Sequence, residues 1–232
     1  MPPRPKTAAE DPVDRQLARV YLESGRRAGA HLPPDTRAEI TGLMRELSQV
    51  QLDFQRAVES VIMTTPAASL TGFRNGIREY GPDNEAAIIW EERMDSKVQL
   101  LTPNTTVIYV FLWLNLKDGP MVMEAPPKVL GLIDDFWFRY VADFGMAGPD
   151  RGKGGKYLVL PPDYEGKVPD GYYVVKSKTY CVWNFMRGYV RGNVQDPANV
   201  KKAADNIKAN LKVYPLSKKD NPPKMEFKNM SG

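Results

Sequence analysis

The chain has 232 residues, enough for one large core or two small ones, and its 42% hydrophobic and 26% charged content is ordinary for a soluble globular protein. Its net charge of +4 comes from 32 basic and 28 acidic residues that are well mixed, which argues against the basic stripe that nucleic acid requires. With Cys181 alone and His31 the single histidine, the chain has no intrachain disulfide, no multi-histidine zinc site and no histidine-dependent nucleophile except through His31 itself.

Residues 1–12 are Pro-rich, charged and without periodicity, and read as a disordered tail. A helical region follows over 13–80. Leu17, Val20 and Tyr21 recur at helical spacing, and Gly25 to Ala30 weakens the run. A second helix starts at Pro34 or Asp35, with Ile40, Leu43, Leu47, Val50, Phe54, Val58 and Val61 on one stripe at steps of three and four. The pattern continues to about Tyr80, with interruptions expected at Pro66 and Gly72.

From 81 to 232 the texture is β-rich. "TVIYVFLWLNL", "GPMVMEAP", "GKYLVLPPDY" and "GYYVVKSKTYCVWNFM" are β-branched and aromatic runs bounded by Gly, Pro and Asp. The first two form a strand–turn–strand unit around Lys117 to Pro120. A helix is expected at about 197–212, opened by Asp196-Pro197, with Ala203, Ile207 and Leu211 on one face. Helices, then strands, then a helix give an α+β fold: N-terminal helices, an antiparallel β-sandwich or jelly-roll-like domain and a C-terminal helix. No apolar run is long enough to span a bilayer, and the N-terminus lacks the apolar core of a secretory signal.

Chemistry-bearing residues are sparse. "GPDRGKGGKY" (148–157) lacks phosphate-loop spacing, since Tyr157 follows Lys156, and it leads into a strand; it reads as a flexible, locally basic hairpin connection. Asp134 and Asp135 with Arg139 and Asp143 offer either an acid–base pair or a turn held by one salt bridge. Glu91, Glu92 and Asp95 lack calcium-loop spacing and read as a solvated turn. In "KTYCVWNFMRGYV" a strand places Cys181, Trp183, Phe185 and Arg187 on one face. Arg187 there either anchors an anionic group or pairs with a carboxylate at the core edge. Lys201, Lys202, Lys208 and Lys212 read as a solvated helix face.

The segments "LTPNTTVIYVFLWLNLKDGPMVMEAP", "GGKYLVLPPDYEGKVPDGYYVVKSKTYCVWNFMRGYV" and "YPLSKKDNPPKMEFKNMSG" resemble the DUF1254 family over about residues 54–232. These are bacterial, often exported proteins in which this region usually precedes a DUF1214 domain. Thr102, Pro103, Asn104 and Tyr109 match the family's Thr-Pro-Asn…Tyr pattern. Gly119 and Pro120 match its strand break, Gly155, Lys156 and Tyr157 its second turn, and Arg187 its late arginine. Thr106 stands where many members carry an aspartate, so a role for that carboxylate is not carried over. The resemblance implies a β-rich domain with flanking helices and a DUF1214-type domain or an oligomer partner; because the sequence stops at "NMSG", where members run on, and starts without their usual exported N-terminus, a fragment or a fusion is expected. It also implies a periplasmic or secreted origin, whereas the chain as written reads as cytoplasmic. Residues ~20–54 also resemble a helical segment of M3 oligopeptidases, whose paired-histidine metal motif is impossible with one histidine.

Two functions remain open at this level. One is a β-rich binding module for a small organic, lipid or glycan ligand, with Asn104, Thr106, Tyr109, Arg139, Lys156, Tyr157 and Arg187 as ligand-binding candidates and no cofactor or metal. The other is a histidine-independent hydrolase or lyase, completed by a second domain, in which Asn104 polarises a carbonyl.

Overall fold

A computed structural model describes residues 12–27, 29–94 and 103–231. The disordered-tail reading, Thr102 and Asp95 lie outside these residues, apart from Pro12. The chain divides into two compact units, Met1–Met63 and Thr64–Gly232.

The first unit holds α1 (Pro12–Arg27) and the start of α2 (Pro34–Arg78). Asp35 lies in the first turn of α2, where the unpaired N–H groups favour an acid. The helix runs through Pro66 and Gly72 without the expected interruptions. A helical proline removes one N–H and crowds the carbonyl four residues back, a local cost that packing beyond it can offset. That packing exists in the second unit, where Leu70 and Ile77 are buried and Phe73 packs beside them.

The second unit also contains β1 (Ala86–Ile89), β2 (Val107–Asn115), β3 (Met121–Ala125), β4 (Val129–Asp135), β5 (Tyr140–Gly145), β6 (Gly155–Leu160), β7 (Tyr173–Lys176), β8 (Cys181–Tyr189), α3 (Pro197–Asn210), β9 (Lys212–Pro215) and β10 (Glu226–Asn229). They form a six-stranded sheet, β10-β1-β2-β8-β4-β5, and a four-stranded sheet, β7-β6-β3-β9. One cluster joins the sheets: Ile108, Val110, Leu112 and Leu114 of β2 meet Met121 and Met123 of β3, Tyr157 and Val159 of β6, and Val213 of β9. The α+β, sandwich-like class holds. The sheets are mixed, however: β1 with β10 and β6 with β7 pair in parallel.

Two connections differ from the sequence reading. β2 and β3 lie in different sheets, and so do β5 and β6, so neither 116–120 nor 146–154 is a hairpin turn. Each carries the chain across the core from one sheet to the other. The second crossing is tied rather than loose. Buried Asp150 accepts hydrogen bonds from Gly145 N (2.7 Å), Gly154 N (3.0 Å) and the Tyr157 hydroxyl. Gly145 has φ +75°, and a Cβ there would sit 2.1 Å from the Val129 carbonyl oxygen, so only glycine fits.

α3 starts where Asp196 accepts from Ala198 N (2.9 Å) with Pro197 at the first helical position. It buries Val200, Ala203, Ala204 and Ile207 in the shared core. Gly188 of β8 permits that approach, since a Cβ would lie 2.7 Å from Ile207 Cδ1.

Candidate functional site

β2 is buried along nearly its whole length, so its alternate side chains enter two environments. One set fills the core between the sheets. The other, Val107, Tyr109, Phe111 and Trp113, lies on the outer face of the six-stranded sheet. The antiparallel register with β8 sets Tyr109 opposite Arg187, Phe111 opposite Phe185 and Trp113 opposite Trp183.

The result is an aromatic slab. Phe111 and Phe185 stack at 5.3 Å, and Trp183 lies 5.6 Å from Phe185 and 5.6 Å from Phe138. Phe73 of α2 meets Phe111 and Trp183 edge-on, each at 5.6 Å. Such pairs each add about 0.5–1.5 kcal/mol beyond the area they bury. Leu70, Phe73 and Ile77 belong to the cluster on the β1–β2 side. Towards β8, β4 and β5 the same face is more open: Trp183, Phe185, Arg187, Leu130 and Leu132 are half-buried, and Phe138 and Tyr140 are exposed.

Arg187 occupies one end of this open shelf. Its guanidinium carbon lies 5.1 Å from the Phe185 ring centre and 5.7 Å from that of Tyr109, a cation–π arrangement on two rings. Its Nε is buried without a hydrogen-bond partner among the described residues, and none of their ion pairs includes it. A partly desolvated guanidinium in that state favours an anion beside it.

The Pro-Asn turn is tied to the same end. Asn104 Oδ1 accepts from Thr106 N (2.8 Å) and Thr106 Oγ1 (2.6 Å), and Asn104 N donates to the Tyr109 hydroxyl oxygen (2.7 Å). Asn104 therefore shapes its own turn, as its residue type favours. Tyr109 links the turn to Arg187 and still has its hydroxyl proton to donate. Four candidates, Asn104, Thr106, Tyr109 and Arg187, form one continuous set of contacts.

The other three lie elsewhere. Arg139 donates from Nε (2.8 Å) and Nη2 (2.7 Å) to Asp135 Oδ2, while Asp135 Oδ1 accepts from Trp137 N. This is the turn held by a salt bridge between β4 and β5. Lys156 sits 3.7 Å from Glu124 on the four-stranded sheet, where Lys212 and the Tyr214 hydroxyl also reach that carboxylate. Burial would raise the Glu124 pKa, but the Tyr214 hydrogen bond and both lysines hold it below its ordinary value. Tyr157 is buried on Asp150; burial and that carboxylate push its hydroxyl far above the usual tyrosine range.

Asp134, facing Trp183 across the register, marks the far end of the shelf. It is buried, without a hydrogen-bond partner among the described residues, and burial together with Asp135 and Asp143 raises its pKa. From Trp183 to Arg187 is four residues, or about 13 Å of strand. The sequence signal for Asp134 was its alternation with Leu130 and Leu132. Burial also raises the Cys181 pKa, which leaves it a poor thiolate.

A cleft of about 1100 Å³ lies between the end of α3 and β10, with Lys208, Lys212, Lys224 and Lys228 on its walls. Lys208 pairs with Glu91 (2.8 Å), Lys212 with Glu124 (3.3 Å) and Lys228 with Glu226 (2.9 Å), so its cations are largely neutralised. The described residues contain no group of three or more His, Cys, Asp and Glu able to hold a metal ion. No helix among them is long and apolar enough to cross a membrane.

No curated protein matches the chain. Among solved structures, the VPA0106 protein from Vibrio parahaemolyticus, a structural genomics target, is similar at TM-score 0.53 and 17% identity. The match covers 73% of this chain and 40% of that one, so the present chain corresponds to well under half of that relative. At this identity the likeness establishes the fold. A family model described as "Protein of unknown function (DUF1254)" matches residues 85–215, from β1 to the end of β9 and more than half of the chain; the protein belongs to the DUF1254 family.

Proposed function

We propose that the domain is a binding module for a small organic acid with a flat or apolar body, held on the outer face of the six-stranded sheet. The carboxylate pairs with Arg187. The body lies over Leu130, Leu132, Phe185 and Trp183, and Tyr109 donates its hydroxyl proton beside the acid. Asp134, buried at the far end of the shelf, supplies a polar contact for the ligand's distal end. The observation that carries this reading is a guanidinium stacked on two rings with a buried Nε that has no hydrogen-bond partner among the described residues. Among the described residues, the contacts around it position a charge and supply no activated nucleophile with a base, which favours binding over hydrolysis.

The test is thermal denaturation of the full chain with aryl and medium-chain alkyl carboxylates, each against its primary amide. At a ligand concentration near 100 times Kd the melting temperature rises by about 5–10 °C. The amides and Arg187→Met abolish the rise, whereas Arg139→Met leaves it unchanged. A panel of acids that leaves the transition unmoved, or moves it equally in Arg187→Met, overturns the proposal.

A further inference from the structure

The stripe on the first part of α2 is a heptad seam. Ile40, Leu47, Phe54 and Val61 recur every seven residues, and Leu43, Val50, Ala57 and Thr64 do so three residues later. This a/d alternation brings the same helix edge round once every two turns when two helices supercoil. Leu43, Leu47, Val50 and Phe54 are 58%, 57%, 63% and 70% exposed, and they belong to none of the described core clusters.

We infer that this segment is a dimerisation helix, and that its partner is the same segment of a second copy of the chain in a parallel, in-register coiled coil. The area suits a dimer. Leu43, Met44, Leu47, Val50, Phe54 and Val58 are 40–70% exposed and offer roughly 110 Å² each, or ~650 Å² per chain. Stable interfaces bury about 800 Å² per partner, whereas an apolar patch on a monomer measures about 300–600 Å².

The flanking charges select the orientation. Glu39, Glu46 and Asp53 line the g side, while Met44, Gln51 and Val58 line the e side. Antiparallel helices would set the acids of one chain against those of the other. Parallel helices set each acid against a neutral residue, because g positions then face the partner's e positions. Volumes agree with that register. The Phe54 layer is followed by an Ala57 layer, so paired rings have a narrow step beneath them.

Sedimentation equilibrium of the full chain at micromolar concentrations tests this. A species of twice the 26.1 kDa chain mass is expected. Leu47→Glu weakens it by on the order of 100-fold or more, because each dimer then carries two buried charges. The thermal transition of the β-rich unit reports that the fold survives that change. Leu47→Cys in a Cys181→Ser background forms an interchain disulfide under mild oxidation only if the seams run parallel and in register. A monomer at these concentrations overturns the inference, including one in which α1 shields the stripe. So does a trimer or tetramer, a dimer that survives Leu47→Glu, or a failure of Leu47→Cys to cross-link.

Discussion

The two faces of β2 and β8 share a backbone and differ in nearly everything else. On the inner face Ile108, Val110, Leu112, Leu114, Val182 and Met186 make an aliphatic core whose packing specifies the sandwich. On the outer face Tyr109, Phe111, Trp113, Trp183, Phe185 and Arg187 make an aromatic layer with two buried indole N–H groups, of Trp113 and Trp183, that lack partners among the described residues. An aliphatic face needs only apolar neighbours. Aromatic rings with edges, dipoles and a cation above them are a costly way to fill space and a good way to hold a flat, charged molecule. Each face also contains one exception to its own rule: Asn184 within the aliphatic core and Asp134 at the edge of the aromatic layer.

The largest expected effect is on the inner face. Leu112→Ala removes a side chain with no exposure and costs about 2–5 kcal/mol of stability, read as a reduced denaturant midpoint. Phe185→Leu on the outer face costs less, about 1 kcal/mol, because that side chain is only half-buried and its volume is partly replaced. Equal losses at the two positions would erase the distinction between a structural and a functional face.

An intermediate effect tests the inner exception. Asn184 is fully buried, and neither atom of its amide has a partner among the described residues. Asn184→Leu therefore stabilises the fold by about 1–3 kcal/mol, seen as a raised denaturant midpoint. A loss of stability instead identifies the amide as paired through bound water or ligand in solution.

The smallest effect is pH-dependent and belongs to the outer exception. Burial, then Asp135 and Asp143, raise the Asp134 pKa, so the folded state binds its proton more tightly than the unfolded chain. Its contribution is fully present below the unfolded carboxyl value of about 3.9 and is lost as pH rises through the higher folded value. Asp134→Asn should match the parent's melting temperature at about pH 3 and exceed it at about pH 7. An unchanged difference across that range removes the burial argument for Asp134.

Much of this was legible in the residues. Period-two alternation alone places Trp183, Phe185 and Arg187 on one face, and the Pro-Asn turn carries its own side-chain acceptor. The pairing of strands was not legible. "TVIYVFLWLNL" is apolar at every second position on both faces, so nothing local shows that β3 leaves for another sheet. That partition also separates Lys156 and Tyr157 from Arg187. The passage of α2 through Pro66 depends on Leu70, Phe73 and Ile77 finding a sheet to cover, which is a tertiary fact.

The parallel pairing of β1 with β10 sets a timetable for synthesis. Ala86 aligns with Glu226, and the junction is fastened by Glu91 N to Asn229 Oδ1 (3.2 Å) and Glu92 N to Ser231 Oγ (2.8 Å). A ribosome must therefore make some 140 further residues before β1 gains its outer neighbour. Until then Ala86–Ile89 is a bare apolar edge, open to the strands of other nascent chains. The late arrival of β10 leaves that edge uncovered through the synthesis of every other strand among the described residues.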